Sequence, residues 1–569
     1  MKKLLASKYW WLSLLIVLVG INYLATLVHF RLDLTQEKRY TLSAPTKKLL
    51  RELKEPVTVT VLLEGDNMPA GFRRLSNSAR ELLQEFKEAG KANIIYKFQK
   101  PGNQGDTTGA FSMDSLMRMG LKPTNVRVKV KEGEGEEQRY LFPGALVTIG
   151  NKIIPVDFLQ SSKVSDGDPF STLNNAEALL EYKLAHAIQK ISADKVPAVG
   201  YLLNNGEPRT YNVYDLIQGT LMDNYGFGFV PIDSVPVIPA YFNAIVIMKP
   251  TVKFTDAQKL KIDQYIMHGG KVIWLLDKLD ASLDSLMRKQ SDFVAFDFGL
   301  NLDDQLFRYG VRINPDLVQD LQCDRLPLVV GNMGDKPQME LQDWPYFPLL
   351  SSYTGHPISK NMDLVLSMFP NSIDTVKATG VRKTVLLATS SNARTLSTPA
   401  IVSLNSVKTE EDLKTFNKAN IPVAMLLEGR FSSLFTNRLS QATMDKLAGV
   451  YKQPFRATSE DDNKMIVISD ADIATNVFSQ QQGPLPMGFN QFTNYQYANR
   501  DFILNCIEYL VNPSGILETR SKDYTLRLLD PEKVENEKSQ WQLINIGVPV
   551  LLVVLFGFIY QTVRKRKYQ

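Results

Sequence analysis

Hydrophobic and polar positions separate the chain into two membrane-grade runs and a long water-soluble stretch between them. Residues 9–30, YWWLSLLIVLVGINYLATLVHF, carry no formal charge before Arg31, and residues 542–561 contain LINIGVPVLLVVLFGFIY. Each approaches the roughly 20 apolar residues that cross a bilayer core. Trp10, Trp11, Trp541 and Tyr560 stand near their ends, where amphipathic rings favour the interface. The four basic residues Arg564 to Lys567 follow the second run directly. They predict an inner (cytoplasmic) membrane protein with two spans and both termini cytoplasmic, the bulk of the chain being periplasmic. A cleaved signal peptide is the other reading of the first run. Its length, and the lack of an A-x-A site before Arg31, favour an uncleaved anchor.

Inside the soluble stretch the periodicity switches repeatedly between strand and helix. SAPTKKLLRELKEP reads as a short amphipathic helix with Ser43 or Thr46 at its start and Pro56 as its stop. VTVTVLL (57–63), a helix near 75–89 and ANIIYKFQ (92–99) give a β-α-β order. Strands follow at NVRVKV, RYLFPGALVTIG and KIIPVDF, with GEGEE as a hairpin tip and 174–191 as a closing helix. A second α/β pattern opens with VPAVGYLLNNGEP (196–208) and a helix at 214–224. NAIVIMKP (243–250) is a buried strand, and TDAQKLKIDQYIMHGG is a helix with Thr255 and Gln258 as a capping box, followed by the strand KVIWLLD (271–277). Around 300–455 the pattern is weaker, and Pro-rich QDWPYFPLL reads as a loop. NKMIVISDADIATN (463–476) is a late buried strand, and NRDFILNCIEYLV (499–511) a late helix.

The predicted fold class is α/β, membrane-anchored at both ends. A small thioredoxin-like α/β domain precedes a doubly wound Rossmann-like α/β domain that carries a further α/β or mixed insertion. The expected divisions are a cytoplasmic start (1–8), first span (9–30), collar and amphipathic helix (31–55), small α/β domain (56–192) and Rossmann-like domain (193–300). A mixed insertion or third domain (301–455) follows, then a strand and helix returning to the second domain (456–517), a charged stalk (518–541), the second span (542–561) and a basic tail (562–569).

Composition adds exclusions. With 569 residues, 44% hydrophobic and 22% charged, the chain has the makeup of a folded protein of two to four domains. Its net charge of +5 sits largely at the termini, and no basic stripe with interleaved aromatics appears, which argues against nucleic acid as a partner. Cys323 and Cys506 are far apart; they either pair or remain two buried thiols. No G-x-x-x-x-G-K-[ST] cradle and no G-x-S-x-G elbow occurs, and His29, His186, His268 and His356 share no ligand spacing. No catalytic, cofactor or metal site is predicted, and the chain is expected not to be an enzyme.

Two polar groupings remain. Asn204, Asn205, Glu207, Asp277, Asp470 and Asp472 follow predicted strands, with Arg500 at the start of the late helix. Open α/β sheets place binding crevices at such strand ends; the alternative is that these are turn and cap residues. Asn499 and Asp501 join Arg500 as expected caps. The collar RLDLTQEKRYTLS supplies Arg31, Asp33, Glu37, Lys38, Arg39 and Tyr40, either a solvated membrane exit or a surface for a neighbouring membrane protein.

The collar, VGYLLNNGEP, FTDAQKLKIDQYIMHGGKVIWLLD and the late SDAD…NRDFILNCIEYL resemble the GldG family, gliding-motility-associated ABC transporter components of Bacteroidetes within the auxiliary ABC-transport group. Relatives of that group include a domain shared with an intraflagellar transport protein. The resemblance implies a subunit that works with a separate permease and, through it, a separate ATPase, in a complex linked to gliding; the missing catalytic motifs make it a non-catalytic accessory subunit, and the collar residues are the expected permease contact. The family is often labelled substrate-binding, but the resemblance carries no substrate onto named residues. A periplasmic scaffold of gliding or secretion machinery is the alternative.

Overall fold

Val57, Val59 and Val61 alternate with threonine, and that period of two puts all three valines on one face of a strand, β1 (Val57–Val61). In the computed structural model β1 pairs in parallel with β2 (Ile94–Phe98). The model describes residues 15, 19–20, 41–65, 68–102, 111–131, 134–159, 169–283, 292–333, 336–404, 410–460, 462–521 and 531–568. Most of the first apolar run, and the collar residues Arg31, Asp33, Glu37, Lys38, Arg39 and Tyr40, lie outside the described residues. The chain divides into a body, Met1–Lys522, and a C-terminal unit, Asp523–Gln569.

Helix Ala70–Gly90 connects β1 to β2 and buries Leu75, Ala79, Leu83 and Phe86, a helical stripe, against the valine face. The chain then forms a hairpin of β3 (Thr124–Lys131) and β4 (Glu134–Leu141), and returns through β5 (Gly144–Ile149) and β6 (Lys152–Asp157). The sheet order is β2-β1-β5-β6, with β5 antiparallel to both neighbours. The segment RYLFPGALVTIG is therefore not one strand. Pro143, which has no N–H to donate, separates β4 in its polar ribbon from β5 in the buried sheet. Helix Pro169–Ser192 lies beside Ala70–Gly90 and contributes Ala176, Leu180, Leu184 and Ile188 to the same core.

The second sheet has ten strands. β7 (Ala198–Leu203) lies between β8 (Gly226–Pro231) and β9 (Ala244–Met248), and β10 (Lys271–Leu275) follows β9, all in parallel. The late strand Asn463–Ile468 pairs in parallel with β10, completing an order in which the second strand lies on one side of the first and the rest on the other. β9 is buried along its whole length, as a strand covered on both faces must be. Helix Asp256–Met267 packs on one face through Ile262, Tyr265 and Ile266. Helix Asn499–Val511 packs on the other through Phe502, Ile503 and Cys506, beside Asp215–Met222, which winds as a π-helix rather than an α-helix. Antiparallel strands Pro422–Gly429, Val381–Ala388, Lys336–Ser352 and Cys323–Met333 extend the sheet beyond the late strand.

QDWPYFPLL, expected as a loop, is strand within Lys336–Ser352. Its prolines are tolerated because the ladder to Cys323–Met333 slips between Cys323 and Arg325, opposite them. Trp344, Tyr346 and Phe347 gather there around Phe369 to fill a separate core.

The body's two ends meet. Leu42, just before the helix Ala44–Arg51, and Leu50, in its last turn, share a core with Ile516 of the 3-10 turn Ile516–Ser521. A side chain built on Gly515 would touch Pro45 at 3.6 Å. In the C-terminal unit, Pro531–Tyr568 is one continuous helix. Among the described residues, its segment Glu537–Arg566 is the one helix long and apolar enough to cross a membrane.

Candidate functional site

The parallel strands β7, β9, β10 and the late strand end side by side, so their exit residues form one edge. At its centre is Lys249, the first residue after β9, held at φ +46°. Its amide donates to Leu275 O at 2.8 Å, and its ammonium pairs with Asp277 Oδ2 at 3.1 Å and with Asp472 Oδ1. Asp277 Oδ1 in turn accepts from the Ala471 amide at 2.7 Å. Asp470 is fully buried and accepts from the Ser367 hydroxyl, the Met368 amide and the Asp472 amide. Two carboxyls, Asp277 and Asp472, thus share one ammonium, and the third, Asp470, is held beside them by Ser367, Met368 and the Asp472 amide. Burial pushes Asp470 well above the usual carboxylate range, and Asp472 and Asp277 add to it. Asp277 is also raised by burial, against the pull of Lys249. Burial works against the Lys249 charge, but the two aspartates outweigh it and hold the lysine raised.

Above this cluster the outer loops join. The Asn476 amide donates to Asn212 O at 2.7 Å, its side chain donates to Tyr211 O at 2.7 Å, and it accepts from the Asp215 amide at 3.1 Å. Tyr211 and Phe478 pack with ring centroids 5.0 Å apart. The loops after β7 and after the late strand are therefore sewn together across the ends of β9 and β10, leaving the Lys249 side chain 22% exposed.

The remaining candidates form separate groups. Asn204 and Gly206 have φ of +97° and +84°, turning β7 back so that Asn205 O accepts from the Thr251 and Val252 amides at 2.9 Å. The Asn205 side chain donates to Gln258 Oε1 at 3.1 Å, within the Thr255–Gln258 capping box. Glu207 Oε2 accepts from the Asn205 amide at 2.7 Å. Arg500 reaches away from the aspartate cluster, donating to Gly219 O and pairing with Asp215 at 3.6 Å. A Cβ at Gly219 would lie 2.5 Å from Asp215 Oδ1 and 3.0 Å from Arg500 Nη2, so both side chains would have to shift. Asn499 does not cap its helix. Its side chain bridges Leu366, through both amide and carbonyl, and Ile473 O.

Sequence reasoning missed Lys249 and Asn476, which organise the edge. A lone lysine closing the strand NAIVIMKP, among exits otherwise rich in aspartate and asparagine, was the available signal for Lys249. Also missed is a junction beneath the body's ends. Ser43 caps its helix by accepting from the Thr46 amide, and its own amide donates to the buried Glu181 at 2.8 Å. Arg520, 2% exposed, lies over the Tyr182 ring at 5.1 Å and donates to Asn505 Oδ1 at 3.3 Å. The long helix Pro169–Ser192, the helix Asn499–Val511 and the exit turn are fastened together there.

Residues 196–506, which span β7 through most of the late helix, match the family described as an ABC-type uncharacterized transport system. The chain belongs to that family. Residues 36–148 match a domain of unknown function, DUF7088. An uncharacterized protein of Borreliella burgdorferi is 19% identical over 554 residues, covering 95% of this chain and 94% of its own length. Among solved structures, the mmIFT52 N-terminal domain is 14% identical with a TM-score of 0.30, covering 55% of this chain and 97% of that one. An exo-β-1,4-mannosidase from an Opitutaceae bacterium is 10% identical with a TM-score of 0.18, covering 77% and 51%. Family membership makes this chain an accessory, transport-associated component, associated with other parts of an ABC system.

Proposed function

We propose that this chain is a non-catalytic accessory subunit of an ABC transporter complex of the GldG type, required for gliding motility. Its periplasmic body, a thioredoxin-like domain followed by a doubly wound Rossmann-like domain, is held against an inner-membrane permease, and through that permease it works with an ATPase. Two spans, 9–30 and 542–561, anchor it with both termini in the cytoplasm, and the collar Arg31–Tyr40 contacts the permease.

The observation that carries this reading is the meeting of the body's two ends at Pro45 and Gly515, on one long helix. Pro45 and Gly515, near the first and last described stretches of the soluble body, lie together, which supports a body hung from one membrane rather than one stretched between two layers. The edge around Lys249 is the place for a ligand or partner, and its carboxyls are engaged by the protein's own groups, which suits a subunit that transmits contact more than one that performs chemistry.

Gentle detergent extraction of the tagged protein from native membranes tests the proposal. A permease and an ATPase co-purifying in fixed ratio is the expected result. Periplasmic or outer-membrane partners in their place would overturn it in favour of a scaffold.

A further inference from the structure

With Glu207 ionised, the loop Asn204–Glu207 holds two buried acceptors that no described donor reaches, Asn205 Oδ1 and Glu207 Oε1. Asn205 is 1% and Glu207 8% exposed. Turning the Asn205 amide over gives no relief. Its nitrogen faces Gln258 Oε1, an acceptor held in place by the Thr255 amide at 2.8 Å. Each unmet buried acceptor costs free energy, and a buried charge costs more.

The charged and titratable neighbours do not supply a partner. Asp233, beyond β8, repels a Glu207 charge, and Tyr201 on β7 donates its hydroxyl to Pro208 O at 2.7 Å. Arg209 lies over the Phe229 ring at 5.0 Å, and Lys261 of the packed helix donates to Ile232 O at 2.6 Å. Lys253 meets Asn205 through its backbone carbonyl. A proton on Glu207 Oε1 removes the buried charge, the larger of these costs.

We propose that Glu207 is a proton-operated latch on the switch point between β7 and β9. Neutral, it holds the β7 exit loop against the β9 exit, where Asn205 O receives the Thr251 and Val252 amides. Ionised, it releases that loop and opens the edge that carries Lys249. Burial, the main cause, lifts the Glu207 carboxyl to about 7, so the latch operates within the range an exported domain meets. The latch stands on the loop's own geometry and is independent of whether a permease is the partner.

The test uses the full chain in detergent micelles and reads amide hydrogen exchange at Thr251 and Val252 on either side of about pH 7. Corrected for intrinsic rates, wild-type protection is expected to fall about tenfold per pH unit above the transition. Glu207→Gln, which keeps a donor and carries no charge, stays protected on both sides. Equal wild-type protection across the transition, or a parallel loss in Glu207→Gln, would overturn the latch. Infrared titration of the wild type gives a readout that can overturn the latch without depending on the variant folding. A protonated-carboxyl band lost near pH 7 in the wild type and missing from the Glu207→Gln difference spectrum supports the proposal, and the absence of any such band at pH values just below 7 sinks it.

Discussion

The Lys249 ammonium stands 3.1 Å from Asp277 Oδ2 and joins two strand exits that are far apart in the chain, since the same ammonium also holds Asp472. That pairing fastens the late strand to the sheet it re-enters after a long excursion. Replacing the lysine by Met leaves Asp277 and Asp472 without their cation, beside the buried Asp470. We expect Lys249→Met to lose about 3 kcal/mol at neutral pH, as removal of one partner of a buried pair does. The loss should shrink on acidification, as Asp277, raised by burial, takes up a proton. Denaturant unfolding at several pH values checks both, and an unchanged midpoint would refute the fastening role.

Gly219→Ala should destabilise by about 1–3 kcal/mol, because the added methyl meets Asp215 and Arg500. Gly219 lies within the π-helical segment Asp215–Met222, so amide exchange there should rise in the variant. A melting temperature equal to that of the wild type would show that Arg500 can move aside freely.

Ser43→Ala removes a helix cap and should cost about 1 kcal/mol. Arg520→Met removes one of two donors to Asn505 Oδ1, leaving only the longer bond from the Tyr182 hydroxyl at 3.5 Å, and should cost about 1–2 kcal/mol. Both act where the body's ends meet, so limited proteolysis should cut first near 41–51 and 516–521 in either variant. Cleavage elsewhere, with these segments still protected, would contradict the junction.

Two groups tilt stability with pH in opposite senses. Burial lowers His356 from 6.5 to about 4, so the native imidazole stays neutral while the unfolded one charges. Its contribution is full above about 6.5 and is lost as pH falls toward 4. Glu207, raised from 4.5 to about 7, contributes fully below about 4.5 and loses that contribution as pH rises through 7. His356→Gln should flatten the acid limb of the stability profile, and Glu207→Gln the limb approaching neutrality. Melting curves of the full chain across this range decide each separately.

Both cysteines are free thiols, Cys506 buried on its helix and Cys323 partly exposed. Burial, helped by Asp343, lifts the Cys323 thiol to about 12, so neither should react quickly in the native state. Alkylation after unfolding without reductant should count two thiols; a count of zero would reveal a disulfide.

The local chemistry of this chain was legible before any coordinates. Thr255 and Gln258 form the reciprocal capping box that their spacing announces, and Ser43 caps its helix. β9 appears as an unbroken apolar run because it is covered on both faces. These features depend on neighbours three or four residues away, or on one face of one strand, and a sequence displays such relations directly. QDWPYFPLL was misread because prolines signal a loop unless a distant strand slips its register to admit them. Asn499 was misread as a cap because its actual partners, Leu366 and Ile473, lie outside its helix.

The candidate edge divides the same way. Sequence alone determined that aspartates and asparagines stand at strand exits, and that two apolar runs flank a water-soluble body. Only tertiary structure decided that Asp277, Asp470 and Asp472 converge while Arg500 turns to Asp215, that Lys249 is the shared cation, and that Pro45 meets Gly515. Those relations join residues far apart in the chain through sheet order and helix packing. No periodicity encodes which distant exits will lie side by side, because that is settled by how whole faces bury against one another.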